Sequence, residues 1–307
     1  MPVDEIALNF TPSSLMVLNI ILAIVMFGVA LDLKTGDFRA VLALPRSAIV
    51  GLTSQFLILP ALTFLLSLLV APTPSMALGM ILVAACPGGN MSNFYTHLGK
   101  GNTPLSISMS AVSTAAAIFM TPLNLAFWGS LHPEASAILR EVAVDPVQMV
   151  VIIFLLLGLP LSLGLLVSHQ LPHIAAKLKG PMKYFSIAIF GLFIVLALAA
   201  NFENFITHIG AVFFVVLLHN GVALLLGYFG ARALRLPERD RRAVAIEVGI
   251  QNSGLGLVLI FNFFNGLGGM AIVAAWWGVW HLISGLTLAL FWSRREPAGV
   301  PLPAAAD

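Results

Sequence analysis

Long apolar segments follow one another along almost the whole chain, separated by short polar connections. A segment of about 20 apolar residues is needed to cross a hydrocarbon core roughly 30 Å thick. Nine segments meet this length, at residues 14–33, 47–70, 75–98, 103–129, 147–169, 182–200, 208–231, 243–264 and 269–293. The pattern predicts an all-α polytopic membrane protein with nine transmembrane helices.

Composition agrees with this pattern. Hydrophobic residues make up 59% of the 307 positions, charged residues only 9%, and the mean hydropathy is +1.00. A soluble protein of this size needs many more charges on its surface. The net charge of +2 therefore reflects the loops and indicates no nucleic-acid partner. The single cysteine, Cys86, excludes a disulfide framework within the chain.

The distribution of basic residues predicts the orientation, because Lys and Arg are retained on the cytoplasmic side. With the N-terminus outside, the inner loops and the C-terminal tail hold every Lys and Arg except Arg140. We therefore expect a multi-pass protein of the cell membrane. Residues 1–13 form an external lead, 14–293 the transmembrane domain and 294–307 a cytoplasmic tail. Nothing in the pattern indicates an obligatory protein partner.

Two of the nine spans contain helix-breaking residues near their centres. The third span carries Pro87-Gly88-Gly89, and the eighth places glycines around Gln251-Asn252-Ser253. Interrupted backbone at membrane depth must be satisfied by protein or water, so we expect the two breaks to face each other. Aligning them pairs spans one to four with six to nine, each running in the opposite direction, which predicts an inverted repeat. Paired interruptions of this kind are the best sequence indication of a transporter's binding site.

The eighth span also carries Glu247, a carboxylate in an otherwise apolar segment without a deeper basic partner. Carboxylate, amide, hydroxyl and carbonyl oxygens are the ligands of small hard cations. A structural role, with Glu247 bonded to Gln251 one turn on, is the alternative. A buried glutamate can also titrate, so proton binding is a second alternative. Both alternatives are open at this stage.

These motifs together resemble the bile acid:sodium symporter family. The resemblance rests on Cys86 to Asn93, on Glu247 to Gly254 and on shorter motifs at Met26-Phe27-Gly28, Leu218 to Gly221 and Trp280 to Gly285. It covers essentially the whole chain, in a nine-helix form. It implies a panel domain (14–33 and 147–200) beside a core domain (47–129 and 208–293), in which two discontinuous helices cross.

The resemblance also implies two sodium sites and a substrate site. The first sodium site comprises Ser92, Asn93, Ser106, Ser110 and Glu247. The second comprises Gln55, Glu247, Gln251 and the backbone oxygens of Val248 and Ile250. Asn90 and Asn252, at the two breaks, would face the substrate. Family relatives often carry threonine at position 110, and Ser110 keeps the hydroxyl.

The function implied is sodium-coupled import of an organic anion: a bile acid, a steroid conjugate or a small carboxylate. A proton-coupled carrier or exporter of organic anions is the main alternative. A membrane enzyme is disfavoured because no Ser-His-Asp, His-Glu or Asp-Asp arrangement lies at matching depth in the spans, and a passive channel because crossing broken helices build a closed site. Ser106 and Ser110 also have a simpler interpretation as hydroxyls bonded to backbone carbonyls. His219 and His281 are typical of helix packing rather than proton transfer.

Overall fold

The computed structural model describes residues 12–89, 91–142, 145–200 and 202–297. Within these ranges the regular structure is entirely helical. The helices are α1 (Pro12–Ala30), α2 (Thr35–Ala43), α3 (Pro45–Val70), α4 (Pro74–Ala85), α5 (Met91–Leu98), α6 (Thr103–Leu131), α7 (Ala135–Val142), α8 (Pro146–Gln170), α9 (Pro172–Ala200), α10 (Phe202–Ala233), α11 (Glu238–Gly249), α12 (Ser253–Phe263) and α13 (Gly268–Ser293). Most of the predicted lead and tail lies outside the described residues.

Five helical stretches in the described ranges are long and apolar enough to cross a membrane. They are α3, α6, α8, α13 and Val212–Ala233 of α10. Three shorter apolar helices accompany them, at Leu15–Ala30, Pro74–Ala85 and Ser253–Phe263. This is the architecture of a multi-pass membrane protein. The count of nine crossings stays a prediction.

Each span with a predicted interruption is divided into two helices. α4 and α5 are separated by a short extended segment that begins at Cys86, and α11 and α12 by residues 250–252. Proline and glycine in the first segment do not sustain the helical ladder. The sequence therefore located both interruptions, and the helices flanking them match the predicted third and eighth spans.

Two other helices are widened locally by a π-helical turn. The turns cover Ser54–Ile58 in α3 and Phe154–Gly158 in α8. In each case a proline, Pro60 or Pro160, lies two residues after the turn. Proline lacks the N–H and collides with the carbonyl four residues earlier, and a π turn relieves both problems. Gln55 therefore lies in a non-standard turn, a feature common at functional sites.

The short helices α2 and α7 were not predicted. They are too short to carry a strong periodic signal, and α2 depends on local capping, in which the Lys34 backbone N–H donates to Asp37 Oδ2 at 2.7 Å. α9 begins at Pro172, before the predicted span 182–200, and it contains Pro181 within its length.

The helices pack in two groups. α1, α8 and α9 contact one another and form a three-helix group, while α3 to α6 and α10 to α13 form the main bundle. α4 is buried along nearly its whole length, since the bundle surrounds it. Close packing of α4 on α13 requires Gly79, where a Cβ would lie 2.8 Å from the Met270 Cα.

Three helix N-termini of the main bundle converge on Asp240. Ser47, in the first turn of α3, donates to its carboxylate at 2.5 Å, and Asn102, which caps α6, donates at 2.8 Å. Asp240 itself lies in the first turn of α11 and is buried. Helix N-termini carry partial positive charge, so this arrangement compensates a buried carboxylate and ties the three helices together.

Candidate functional site

The two interrupted segments cross each other as extended backbone. The Gly89 N–H donates to the Ile250 carbonyl at 2.6 Å, and the Asn252 N–H donates to the Pro87 carbonyl at 2.9 Å. Gly88 and Gln251 form an isolated antiparallel bridge between them. The backbone groups released by the two breaks thus satisfy one another, as interrupted helices at membrane depth require.

Glu247 lies in the last turn of α11, one turn before this crossing, with only 1% of its surface exposed. Ser92 on α5 donates to Oε2 at 2.7 Å. Ser110 on α6 lies 2.9 Å from both carboxylate oxygens. None of the ion pairs found among the described residues includes Glu247. The carboxylate is therefore surrounded by hydroxyl groups, and no basic side chain in the described part of the chain forms an ion pair with it.

Asn93 extends this group by one more oxygen. Its Oδ1 accepts from Ser106 at 2.9 Å and from Ser110 at 3.3 Å. The structure thus brings together all five residues predicted for the first sodium site, contributed by α5, α6 and α11. We call Ser92, Asn93, Ser106, Ser110 and Glu247 the Glu247 cluster. Carboxylate, amide and hydroxyl oxygens in one buried place are the ligand types of a hard cation.

The simpler interpretations of these residues find little support. Ser106 and Ser110 bond to side chains of the cluster, whereas neighbouring Ser108 and Thr114 bond back to carbonyls of their own helix, at 2.8 Å and 2.7 Å. The alternative for Glu247 was a hydrogen bond to Gln251. Ser92 and Ser110 donate to Glu247, whereas Gln251 donates to the Val248 carbonyl at 2.7 Å.

The second predicted set surrounds a pair of glutamines. Gln55 Nε2 donates to Gln251 Oε1 at 2.8 Å, and Gln251 Nε2 donates back to Gln55 Oε1 at 3.1 Å. Gln55 also donates to the Cys86 carbonyl at 2.8 Å. The pair therefore links α3 to both breaks. The predicted carbonyls are both engaged, that of Val248 by Gln251 and that of Ile250 by Gly89.

Of the two predicted substrate residues, Asn252 is described and Asn90 lies outside the described residues. Asn252 caps α12, since its Oδ1 accepts from the Leu255 N–H at 3.0 Å. Its Nδ2 lies 4.0 Å from the Met26 sulfur on α1. Asn252 thus lies between the main bundle and the three-helix group.

Sequence reasoning missed two features of this region. Gly88 passes directly beside the carboxylate, because a Cβ there would lie 2.7 Å from Glu247 Cδ. Asn19 on α1 and Asn262 on α12 form a reciprocal amide pair with distances of 3.2 Å and 2.9 Å. The available signal was an asparagine in each of two apolar segments, Asn19 in the first span and Asn262 near the end of the eighth. His219, in contrast, agrees with the packing interpretation, since it bonds to Thr63 at 2.7 Å.

Paired interrupted helices that cross beside buried polar groups are typical of secondary transporters. A family profile agrees with this class: the one described as Sodium Bile acid symporter family matches residues 19–208. The match covers more than half of the chain, and the protein belongs to this family of transporters.

Individual relatives extend the match. The chain is 34% identical over 278 residues to the "Uncharacterized sodium-dependent transporter YocS" of Bacillus subtilis, covering 91% of this chain and 83% of that protein. It is 30% identical to the "Probable sodium/metabolite cotransporter BASS1, chloroplastic" of Arabidopsis thaliana over 90% of this chain and 66% of that one. It is also 30% identical to the "Ileal sodium/bile acid cotransporter" of Cricetulus griseus, over 81% and 70% respectively. A match over 91% of the chain necessarily includes the Glu247 segment, which the profile does not reach.

Proposed function

We propose that this protein is a sodium-coupled symporter that imports an organic anion by alternating access. The observation that carries the proposal is the Glu247 cluster, a buried carboxylate surrounded by hydroxyl and amide oxygens where the two broken helices cross. The names of the relatives support sodium coupling in general.

The first sodium ion would bind in the Glu247 cluster. A buried carboxylate without a counter-ion costs several kcal/mol, and a bound cation removes that cost. The serine hydroxyls now donate toward Glu247 and Asn93, and rotation about Cβ–Oγ would turn their lone pairs toward an ion. Sodium binding would then connect α5, α6 and α11 more firmly than the hydroxyl groups do alone.

The second sodium ion would bind beside the glutamine pair. The amide oxygens of Gln55 and Gln251 each accept one hydrogen bond and retain a free lone pair. The carbonyls of Val248 and Ile250 likewise keep one lone pair each. Glu247 is shared between both sites, so the carboxylate offsets the charge of one ion, and the net charge of +1 that is left would be balanced by a monovalent anion.

The anion would bind at the N-termini of α5 and α12. The first amides of a helix carry partial positive charge and favour anions. Asn90 and Asn252 precede these two helices, and Asn252 faces Met26 across the boundary between helix groups. Sodium would stabilise the crossing that positions both N-termini, which couples the ions to the substrate.

The three-helix group would then act as the panel domain and the main bundle as the core domain. Alternating access requires that their contact opens at one side at a time. The boundary carries a polar contact, the Asn19–Asn262 pair, whose hydrogen bonds water could replace when the groups separate. The distribution of basic residues favours an N-terminus outside and a C-terminus in the cytoplasm. The apolar segments favour nine crossings, and the alignment of the two breaks favours an inverted repeat.

The ion gradients would be sufficient for accumulation. One charge crossing 100 mV releases about 2.3 kcal/mol, and a tenfold gradient adds about 1.4 kcal/mol per ion. Two sodium ions entering with one monovalent anion, each down a tenfold gradient, would supply about 5 kcal/mol. That corresponds to accumulation by roughly three orders of magnitude.

Uptake by the purified protein in liposomes tests the function. Labelled taurocholate, oestrone sulfate and pyruvate would represent the three candidate anion types (bile acid, steroid conjugate and small carboxylate), with external sodium or choline at fixed pH. We expect one of them to accumulate only with sodium, and uptake of radioactive sodium to rise when that anion is present. Accumulation that is unchanged in choline and follows an imposed pH gradient would overturn sodium coupling and favour a proton-coupled carrier.

A further inference from the structure

A cavity of about 500 Å³ lies away from the crossing, at one end of the three-helix group. It is partly open and is formed by the connection between α1 and α2, the first turn of α2, the end of α8 and the first turns of α9. Its walls include Leu33, Lys34, Ser168, His169, Ala175 and Lys179. No residue of the Glu247 cluster or of the glutamine pair lines it, and neither family membership nor the proposed transport mechanism assigns it a role.

The polar part of the wall is basic. Lys34, His169 and Lys179 line the cavity, and no acidic side chain does so. The nearby acid Asp32 lies 3.6 Å from the Lys179 ammonium, with 60% of the Asp32 side chain exposed. Exposed ion pairs of this kind contribute at most about 1 kcal/mol. Asp37 is already engaged by the Lys34 backbone N–H. An incoming anion can therefore replace Asp32 as the partner of the Lys179 ammonium at a free-energy cost of at most about 1 kcal/mol.

The remaining wall and its surroundings are apolar. Leu33, Leu165 and Ala175 line the cavity. Leu171 and Ile174, next in sequence to the lining residues Pro172 and Ala175, have 49% and 44% of their surface exposed. A free inorganic anion gains nothing from such surface. An amphiphile with a charged head and hydrocarbon chains can use both parts.

The depth of the cavity fits the headgroup layer of a bilayer. α9 has 29 residues. At about 1.5 Å per residue it is roughly 43 Å long, which exceeds a hydrocarbon core of about 30 Å. The predicted apolar span of this helix, residues 182–200, begins after Lys179, so we expect the first turns of α9 to lie outside the hydrocarbon. Basic cavities between helices on the cytoplasmic side are suited to anionic lipid headgroups.

We propose that this cavity binds the phosphate of an anionic phospholipid, with Lys34 and Lys179 as the phosphate ligands. The acyl chains would lie along Leu171 and Ile174. Small-ligand sites have volumes of about 300–1,000 Å³, a range that admits a glycerophosphate headgroup. Since the connection between α1 and α2 contributes Leu33 and Lys34 and α9 contributes Lys179, a bound lipid would hold this connection against α9.

Thermal unfolding of the full chain in nanodiscs tests the proposal. The probe is phosphatidylglycerol, added as a minor component to phosphatidylcholine discs. We expect phosphatidylglycerol to raise the unfolding midpoint by several degrees. The double substitution Lys34→Gln with Lys179→Gln should remove more than half of that rise. The matched control is Arg232→Gln with Arg294→Gln, which removes the same charge from exposed positions outside the cavity and should keep the full rise.

Three results would overturn the proposal. If the lysine variant keeps the whole rise, the lipid binds elsewhere. If the arginine control loses as much as the lysine variant, the effect is general attraction to a charged surface. If glycerol phosphate or inorganic phosphate, added to discs of pure phosphatidylcholine, gives the same rise, the cavity is a free-anion site. The test requires no transport, so it is independent of the function proposed above.

Discussion

Replacing Gly88 by alanine probes the crossing with a single methyl group. The new Cβ would lie 2.7 Å from Glu247 Cδ. Non-bonded carbons prefer a separation of about 3.5–4.0 Å, so the carboxylate would have to retreat by about 1 Å. The Gly88 backbone does not require a left-handed conformation, so the methyl group acts through contact rather than backbone strain.

The size of the effect follows from this overlap. Inserting a methyl group into a well-packed interior costs about 1–3 kcal/mol. Since the displaced group is the carboxylate shared by both proposed sodium sites, we expect the cost to fall mainly on the sodium-bound state. The apparent sodium affinity should then fall about 5- to 150-fold.

The assay is the unfolding midpoint of the purified protein as sodium replaces choline at constant ionic strength. A ligand that binds only the folded protein raises the midpoint with its concentration. The wild-type midpoint should rise with sodium, and Gly88→Ala should need a much higher sodium concentration for the same rise. The midpoints in choline report separately on any loss of folding stability.

Gly256→Ala is the matched control. It lies in α12 of the other broken helix pair, and its Cβ would meet the nearest atom, the Cys86 sulfur, at an ordinary 3.7 Å. Its sodium response should equal that of the wild type. If Gly88→Ala and Gly256→Ala respond to sodium alike, the carboxylate beside Gly88 is not part of a sodium site and the reasoning is refuted.

Three further predictions concern other contacts. Ser110→Ala removes the hydroxyl next to both oxygens of Glu247, so the sodium affinity measured by the unfolding assay should fall on the order of tenfold. Ser108→Ala loses only a bond within its helix and should keep the wild-type affinity. Equal sodium affinities in the two variants would contradict the assignment of Ser110 to the sodium site. In a chain without Cys86, Asn19→Cys and Asn262→Cys should be linked by a short reducible thiol crosslinker, and the link should stop uptake until it is reduced. Continued uptake by the linked protein would show that this boundary does not open. Asp240→Asn should lower folding stability by about 1–3 kcal/mol, because it removes the charge that three helix N-termini stabilise. Its sodium response in the same unfolding assay should equal that of the wild type, and an unchanged midpoint in choline would contradict the stabilising role of Asp240.

The sequence predicted the features that depend on local chemistry. Proline and glycine at residues 87–89 interrupt a helix whatever its tertiary contacts, so they predict one of the two breaks. Glu247 indicates a functional site because a carboxylate in an apolar segment needs a polar or charged partner. The resemblance to a family then grouped the serines with Glu247, which their positions on separate helices could not have done alone. The structure adds the distances that bring them together.

Features that depend on packing between distant segments were not predictable. Asn19 and Asn262 are 243 positions apart, and either residue alone could have faced lipid headgroups or another helix. The proximity of Gly88 to Glu247 depends on how the two extended segments cross. The π turn around Gln55 follows from Pro60, but a proline in a span more often predicts a kink than a widened turn.

Equilibrium binding of radioactive sodium to the purified protein tests the central claim most directly. The wild type should bind sodium saturably, in competition with unlabelled sodium but not with choline. Glu247→Gln keeps the size of the side chain and removes its charge, and it should abolish this binding while the protein still folds. Saturable sodium binding by Glu247→Gln with the affinity of the wild type would contradict the claim that a carboxylate at the helix crossing is neutralised by sodium.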